Sequence, residues 1–120
     1  MVGIGVDVVE VERIREIITR RGERFLRRIF TEREIAYALS ARSPLREERV
    51  AARFAAKEAF LKALGHPVPL KEIEIVNDEN GRPRVLFRGR PYPLSLSHTR
   101  GIAVAVVLIP RPAPGAARQA

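Results

Sequence analysis

The chain opens with GIGVDVVEV, Gly3 to Val11, where valine and isoleucine crowd together without helical spacing and Asp7 alone interrupts them up to Val9. A short run of β-branched residues predicts a buried strand. Charge returns at Glu10, and over Glu12 to Thr19 the residues Ile14, Ile17 and Ile18 recur at the spacing of one helix face. Gly22 ends or interrupts that helix, and Phe25, Leu26, Ile29 and Phe30 form a further apolar set. Thr31 with Glu34 three residues on, ahead of Ile35, Ala36 and Leu39, has the form of a capping box and predicts a fresh short helix. Ser43-Pro44 marks a loop.

Arg46 to Leu64 is the longest unbroken helical stretch, dense in Ala, Leu, Glu, Lys and Arg, and Gly65 with Pro67 stops it. The period then changes to two. Ile73, Ile75 and Val76 predict one strand, Asp78 to Gly81 a turn, and Pro83 to Arg88 its hairpin partner. Leu94 to Thr99 and Ile102 to Ile109 predict two more strands around Arg100-Gly101. Helices enclosed between an N-terminal strand and a C-terminal run of strands indicate an α+β fold, an antiparallel sheet packed with helices. Residues 1–109 read as one domain, and Pro110 to Ala120, a mixture of Pro, Ala, Gly and Arg, reads as a disordered tail.

A chain of 120 residues buries roughly two-thirds of its unfolded surface, which leaves little to wall in a deep private cavity. A substrate site therefore calls for a second copy of the chain. Cysteine is absent, which excludes a disulfide framework, a thiolate zinc site and a cysteine nucleophile. His66 and His98 are too few for an all-histidine zinc site, while carboxylates holding a hard cation such as magnesium stay open. No apolar run reaches the roughly 18 residues that span a bilayer, so the chain reads as soluble and cytoplasmic. The net charge of +8 is almost all arginine, Lys57, Lys62 and Lys71 being the only lysines. Arginine forks suit phosphates and carboxylates, so RNA, an acidic protein partner and an arginine-favouring genome all remain open.

Three places carry candidate chemistry. Asp7 either points to water from an edge strand or stands as a buried carboxylate, which is costly alone. On the long helix Val50, Phe54 and Leu61 fall within about 40° of one another, and Glu58 and Lys57 fall inside or beside that arc. Glu58 forms an i,i+4 pair with Lys62, contributing about 0.3–0.5 kcal/mol, or it joins Asp7 in holding a divalent cation with Lys62 placed to meet a phosphate. Ser95-Leu96-Ser97-His98-Thr99 has no triad acid nearby and no G-x-S-x-G elbow. Its polar residues serve as turn and cap groups or, beside Arg100, as phosphate ligands.

Taken together, GIGVDVVEVERI, RFAAKEAFLKALG and SLSHT resemble the bacterial holo-acyl-carrier-protein synthase family, the short 4′-phosphopantetheinyl transferases. The motifs stand in the family's order and at about its spacing, and the resemblance runs from Val2 to Ile109. It implies magnesium-dependent transfer of the 4′-phosphopantetheine arm of coenzyme A to a serine of acyl carrier protein, releasing adenosine 3′,5′-bisphosphate, within fatty acid biosynthesis. Matched by position, Asp7 and Glu58 resemble the metal carboxylates, and Lys62 resembles the lysine near the scissile phosphate. Arg53, Ser97, His98 and Thr99 correspond to positions around the coenzyme's phosphates and nucleotide. Glu58, directly or through water, is the favoured base. The resemblance also implies a homotrimer with sites at subunit interfaces, and docking of the acidic carrier on Arg13, Arg20, Arg21, Arg24 and Arg28. A rival reading, a small RNA-binding module, rests on the acid-free stretch Gly81 to Arg100. Against it stands an aromatic content of 6% with no strand pairing aromatics for base stacking, so no nucleic-acid partner is expected.

Overall fold

A computed structural model of the chain describes residues 2–110. The order is β1 (Val2–Glu10), α1 (Val11–Arg21), α2 (Glu23–Ile29), α3 (Glu32–Leu39), α4 (Leu45–Leu64), a 3₁₀ turn (Leu70–Glu72), β2 (Ile73–Asn77), β3 (Pro83–Phe87), β4 (Arg90–His98) and β5 (Ile102–Pro110). The strands form one five-stranded sheet in the order β1-β5-β4-β3-β2, with every neighbouring pair antiparallel. This is the α+β architecture expected from the sequence. Pro110 is the last residue of β5, opposite Val2, so the strand runs one residue past the boundary drawn at 109; the rest of the expected tail, 111–120, lies outside the described residues.

Local signals place the helix ends. Gly22, at φ 60°, separates α1 from α2, a conformation that glycine adopts without a Cβ penalty. The capping box forms: the Thr31 hydroxyl accepts from the Glu34 N–H at 3.3 Å and the Glu34 carboxylate accepts from the Thr31 N–H at 2.8 Å. Gly65 closes α4 in the left-handed region and donates to the Leu61 carbonyl.

β4 begins at Arg90, four residues earlier than its hydrophobic pattern predicts. Pro91 and Pro93 hid this half, because proline cannot donate to a ladder on both sides. Here it does not have to. Arg90 to Pro93 pair only with β3, and Leu94 to His98 pair with β5, so the strand passes from one ladder to the other. Thr99 lies beyond β4; its hydroxyl accepts from the N–H groups of Gly101 and Ile102, both at 3.2 Å, and holds the turn into β5.

The central helix α4 lies across β1 and β5 and buries small residues, among them Ala55, Ala56, Ala59 and Ala63. Contact is so close at Gly5 that a Cβ there would sit 1.8 Å from the Ala59 carbonyl oxygen. This reverses the expectation for β1. Gly5 and Val9 are buried with Asp7 on the helix side, whereas Ile4, Val6 and Val8 are 64%, 50% and 59% exposed on the other face. Strand alternation separates the two sets. On that open face Ile4 stands opposite Leu108, Val6 opposite Val106 and Val8 opposite Val104.

Under the helices, Lys57 is fully buried. Its ammonium meets the carbonyls of Ile29, Leu70 and Ile73 and the Glu34 carboxylate, all within 2.7–3.0 Å. The second Glu34 oxygen accepts from the Ile75 N–H at 2.8 Å. One ion pair thus ties α2, α3, α4, the 3₁₀ turn and β2 together, and burial lowers the Lys57 pKa against the pull of Glu34.

Candidate active site

The alternation that puts Gly5 against α4 also turns Asp7 toward it, two residues along the same strand face. Its side chain is 18% exposed although β1 is an edge strand. The Lys62 ammonium donates to the Asp7 Oδ1 at 3.1 Å and to the Val6 carbonyl at 2.9 Å. Lys62 therefore reaches across to β1, and the helix-surface pair with Glu58 considered from spacing gives way to this longer-range one. Glu58, one turn before Lys62, lines with Asp7 a cleft of about 340 Å³ whose other walls include Phe54 and, from α1, Arg13, Ile14 and Ile17. Burial and then the Asp7 charge raise the Glu58 pKa above the ordinary carboxylate range, with Lys62 pulling the other way.

Two neighbouring carboxylates whose charges oppose one another, with oxygen donors only, suit a hard divalent cation. Among the described residues no three of His, Cys, Asp and Glu gather into a closed cage. That donor set fits magnesium, which takes one or two carboxylates and completes its shell with water and phosphate oxygens.

The basic residues divide. Arg13 stands at the Asp7–Glu58 cleft, while Arg20, Arg21, Arg24 and Arg28 ring a separate cavity of about 730 Å³ floored by Phe25, Ile29, Pro69 and Leu70. Arg53 is not brought to either. It is 4% exposed, its guanidinium lies 3.9 Å from the centre of the Tyr37 ring, and its Nη2 donates to Asn77 Oδ1 at 3.4 Å. It projects about 140° around α4 from Glu58. Burial lowers its pKa, and its Nε is buried without a hydrogen-bond partner.

The Ser97-His98-Thr99 cluster is likewise taken apart by the strand. Ser97, paired with Val104, is on the open face of the sheet; His98, next to it, turns to the helix side, where its Nδ1 lies 2.9 Å from Glu48 Oε1. Thr99 spends its hydroxyl oxygen on the turn. Glu48, the partner of His98, stands about 15 Å along α4 from Glu58. Glu48 escaped notice in the sequence. The available signal was its place, with Ala52, Ala55 and Ala59, in a line of small residues at helical spacing.

Residues 3–107 match the family model described as the 4′-phosphopantetheinyl transferase superfamily, ACPS. The chain belongs to that superfamily. A holo-[acyl-carrier-protein] synthase of Thermodesulfovibrio yellowstonii is 45% identical over 111 residues, covering 89% of this chain and 96% of the relative. Among solved structures, a holo-(acyl-carrier-protein) synthase from Bacillus anthracis in complex with CoA (3′,5′-ADP) superposes with a TM-score of 0.78 at 38% identity, over 88% of this chain and 93% of that one. The holo-[acyl-carrier-protein] synthase of Neisseria meningitidis gives a TM-score of 0.80 at 30% identity, over 91% and 98% of the two chains. The chain is thus an enzyme, a phosphopantetheinyl transferase of the holo-acyl-carrier-protein synthase type, and Asp7, Glu58 and Lys62 lie within the matched span.

Proposed function

We propose that this phosphopantetheinyl transferase moves the 4′-phosphopantetheine arm of coenzyme A, in a magnesium-dependent reaction, to a serine of apo-acyl carrier protein, leaving adenosine 3′,5′-bisphosphate. The observation that carries the reading is the convergence of Asp7 and Glu58, from two elements, on one cleft edged by Arg13, with the Lys62 ammonium bonded to Asp7.

Asp7 and Glu58 would hold the metal, which when bound offsets charge on the diphosphate oxygens. The acceptor serine hydroxyl attacks the β-phosphorus of coenzyme A; the new O–P bond forms as the bond to the bridging oxygen of the α-phosphate breaks. Glu58 takes the serine proton directly or through water, a task suited to a carboxylate whose pKa lies above the ordinary range. Lys62, with an ammonium on a largely exposed stem, offers positive charge to the transferring phosphoryl group and leaving oxygen. His98 meets a phosphate of the coenzyme. The arginines of α1 and α2 draw in the acidic carrier, an attraction that raises the association rate and weakens with salt.

The open sheet face supports assembly into a homotrimer. Val2, Ile4, Val6 and Val8 lie beside Ile102, Val106 and Leu108, all exposed in the single chain, and such a contiguous apolar area calls for a partner. Ser95 and Ser97 share that face, so a neighbouring copy brings further walls to a substrate too large for one chain's cleft. No helix among the described residues is long and apolar enough to cross a membrane; the reading places the reaction in the cytoplasm, with the acyl carrier protein it modifies.

The test is intact mass spectrometry of apo-acyl carrier protein incubated with the chain, coenzyme A and magnesium. The carrier should gain the mass of the arm; an unchanged mass sinks the reading. Glu58→Gln should keep the fold and lose transfer, and near-normal turnover in that variant removes Glu58 from the mechanism.

A further inference from the structure

We infer that Glu48 is a positioning residue that orients the His98 imidazole and fixes a proton on its inner nitrogen, so that the outer nitrogen faces an incoming phosphate. The inference rests on the reading of His98 as a phosphate ligand and extends it to a residue with no place in the sequence motifs.

The argument begins with donors and acceptors. A carboxylate only accepts hydrogen bonds, so at 2.9 Å from Glu48 Oε1 the His98 Nδ1 must carry the proton. Nε2, on the opposite edge of the ring, makes no hydrogen bond among the described residues, and the His98 side chain is 33% exposed. A phosphate is also acceptor-only. It is met at Nε2 by the doubly protonated ring, whose positive charge the Glu48 carboxylate then offsets.

The surroundings leave the ring little other freedom. The His98 backbone is paired with Ala103, and the next residue, Thr99, closes the turn through bonds to Gly101 and Ile102. Glu48 is itself held. It sits in the first turns of α4 with its N–H bonded to the Pro44 carbonyl, and its side chain is only 11% exposed. Ring rotation is the remaining freedom of His98, and Glu48 removes it. Because Ser97 faces the other side of the sheet and the Thr99 oxygen is engaged in the turn, His98 is the one side chain of the three with an unengaged polar atom on the helix side.

The experiment is a double-mutant cycle read by calorimetric titration of the full chain with coenzyme A. His98→Ala should weaken binding about tenfold, the loss of one charge-assisted hydrogen bond. Glu48→Gln, which keeps the shape and removes the charge, should weaken it several-fold, and Glu48→Gln with His98→Ala should bind no more weakly than His98→Ala alone. A structural weld between β4 and α4 would not move the second readout, long-range ¹⁵N–¹H correlation of the imidazole. The wild-type ring should carry its proton on Nδ1 and gain a second on Nε2 when coenzyme A is added; Glu48→Gln should shift the free ring toward the Nε2–H tautomer. Additive losses in the cycle, unaltered binding by Glu48→Gln, or a wild-type ring with a bare Nδ1 each overturn the role of Glu48. If His98→Ala binds coenzyme A as the wild type does, the reading of His98 falls and the inference with it. The carrier mass shift judges the transfer reaction independently.

Discussion

Lys62 and Asp7 hold one another across 55 residues of chain: the ammonium at the third-last position of α4 lies 3.1 Å from the carboxylate on β1. The lysine thus occupies a carboxylate that the proposed function assigns to a metal, and the two cations compete for it. Removing the ammonium leaves Asp7 free. Lys62→Met should therefore bind Mn²⁺ about two- to fivefold more tightly in the absence of coenzyme A, the strength of a partly exposed pair, while losing transfer. Free Mn²⁺ counted by electron paramagnetic resonance checks this; equal or weaker binding would show that Lys62 does not stand in the metal's way.

Gly5 allows β1 and α4 to touch. An added methyl would meet backbone at 1.8 Å, and a carbonyl in the middle of a helix cannot swing aside. Gly5→Ala should cost about 3 kcal/mol or more, above the usual range for a single added methyl, and denaturant melts will measure it. A loss below 1 kcal/mol, on the order of an ordinary surface change, would mean that the contact is far looser than described.

The Lys57–Glu34 pair should behave as a buried pair does when halved. Lys57→Met leaves a carboxylate without its charge partner and should destabilise by about 3–5 kcal/mol, whereas Lys57→Met with Glu34→Gln, which removes the charge and keeps an acceptor for the Thr31 and Ile75 N–H groups, should recover part of that loss. Equal stability of single and double variants would contradict the coupling. Because Lys57 also binds the carbonyls of Ile29 and Leu70, both in the wall of the arginine-ringed cavity, the single variant should raise the carrier's KM as well.

Glu74 gives a pH dependence with a definite sign. Its carboxylate accepts from Arg33 Nη2 at 2.5 Å and from the Thr31 hydroxyl at 2.5 Å, and the Arg33 hydrogen bond is the larger cause of a pKa below the ordinary value. The unfolded chain therefore binds the proton first as pH falls, so this stabilisation is present at neutral pH and is lost as pH falls through and below the ordinary carboxylate range. Urea melts across that range should show a flatter acid decline for Glu74→Gln, which starts from lower stability at neutral pH. An identical slope in both proteins would exclude Glu74 as a contributor.

Val6 is central to the apolar sheet face, opposite Val106. Val6→Arg places a charge where the proposed trimer buries aliphatic rows, and light scattering should report monomers, with transfer greatly reduced. A trimer that persists in this variant would place the interface elsewhere.

Much of the secondary structure was legible because its signals are local. Thr31 and Glu34 make their box within one turn, Gly65 terminates α4 at the residue where the pattern stops, and the Ile73/Ile75 period marks β2 without ambiguity. β4 was half legible, because its Pro91 and Pro93 are acceptable only where β5 is not alongside, a fact of the ladder rather than of the segment. Of the site, Asp7, Glu58 and Lys62 stood out as charged residues among apolar neighbours. Glu48 did not, since its partner His98 lies 50 residues away.

By itself, the sequence determined the element types, the antiparallel α+β class, the family and the residue kinds available for phosphate and metal chemistry, for these follow from local period, capping and motif order. Only the tertiary structure decided which face each residue serves. A period of two divides β1 into two sets without saying which is inside, and apolarity alone would have buried Ile4, Val6 and Val8. The close approach of α4 reversed this, because backbone-to-backbone contact at Ala59 admits glycine and no valine. The same choice turned Asp7 toward Glu58 and Lys62, set Ser97 and His98 on opposite sides, and left an aliphatic face exposed.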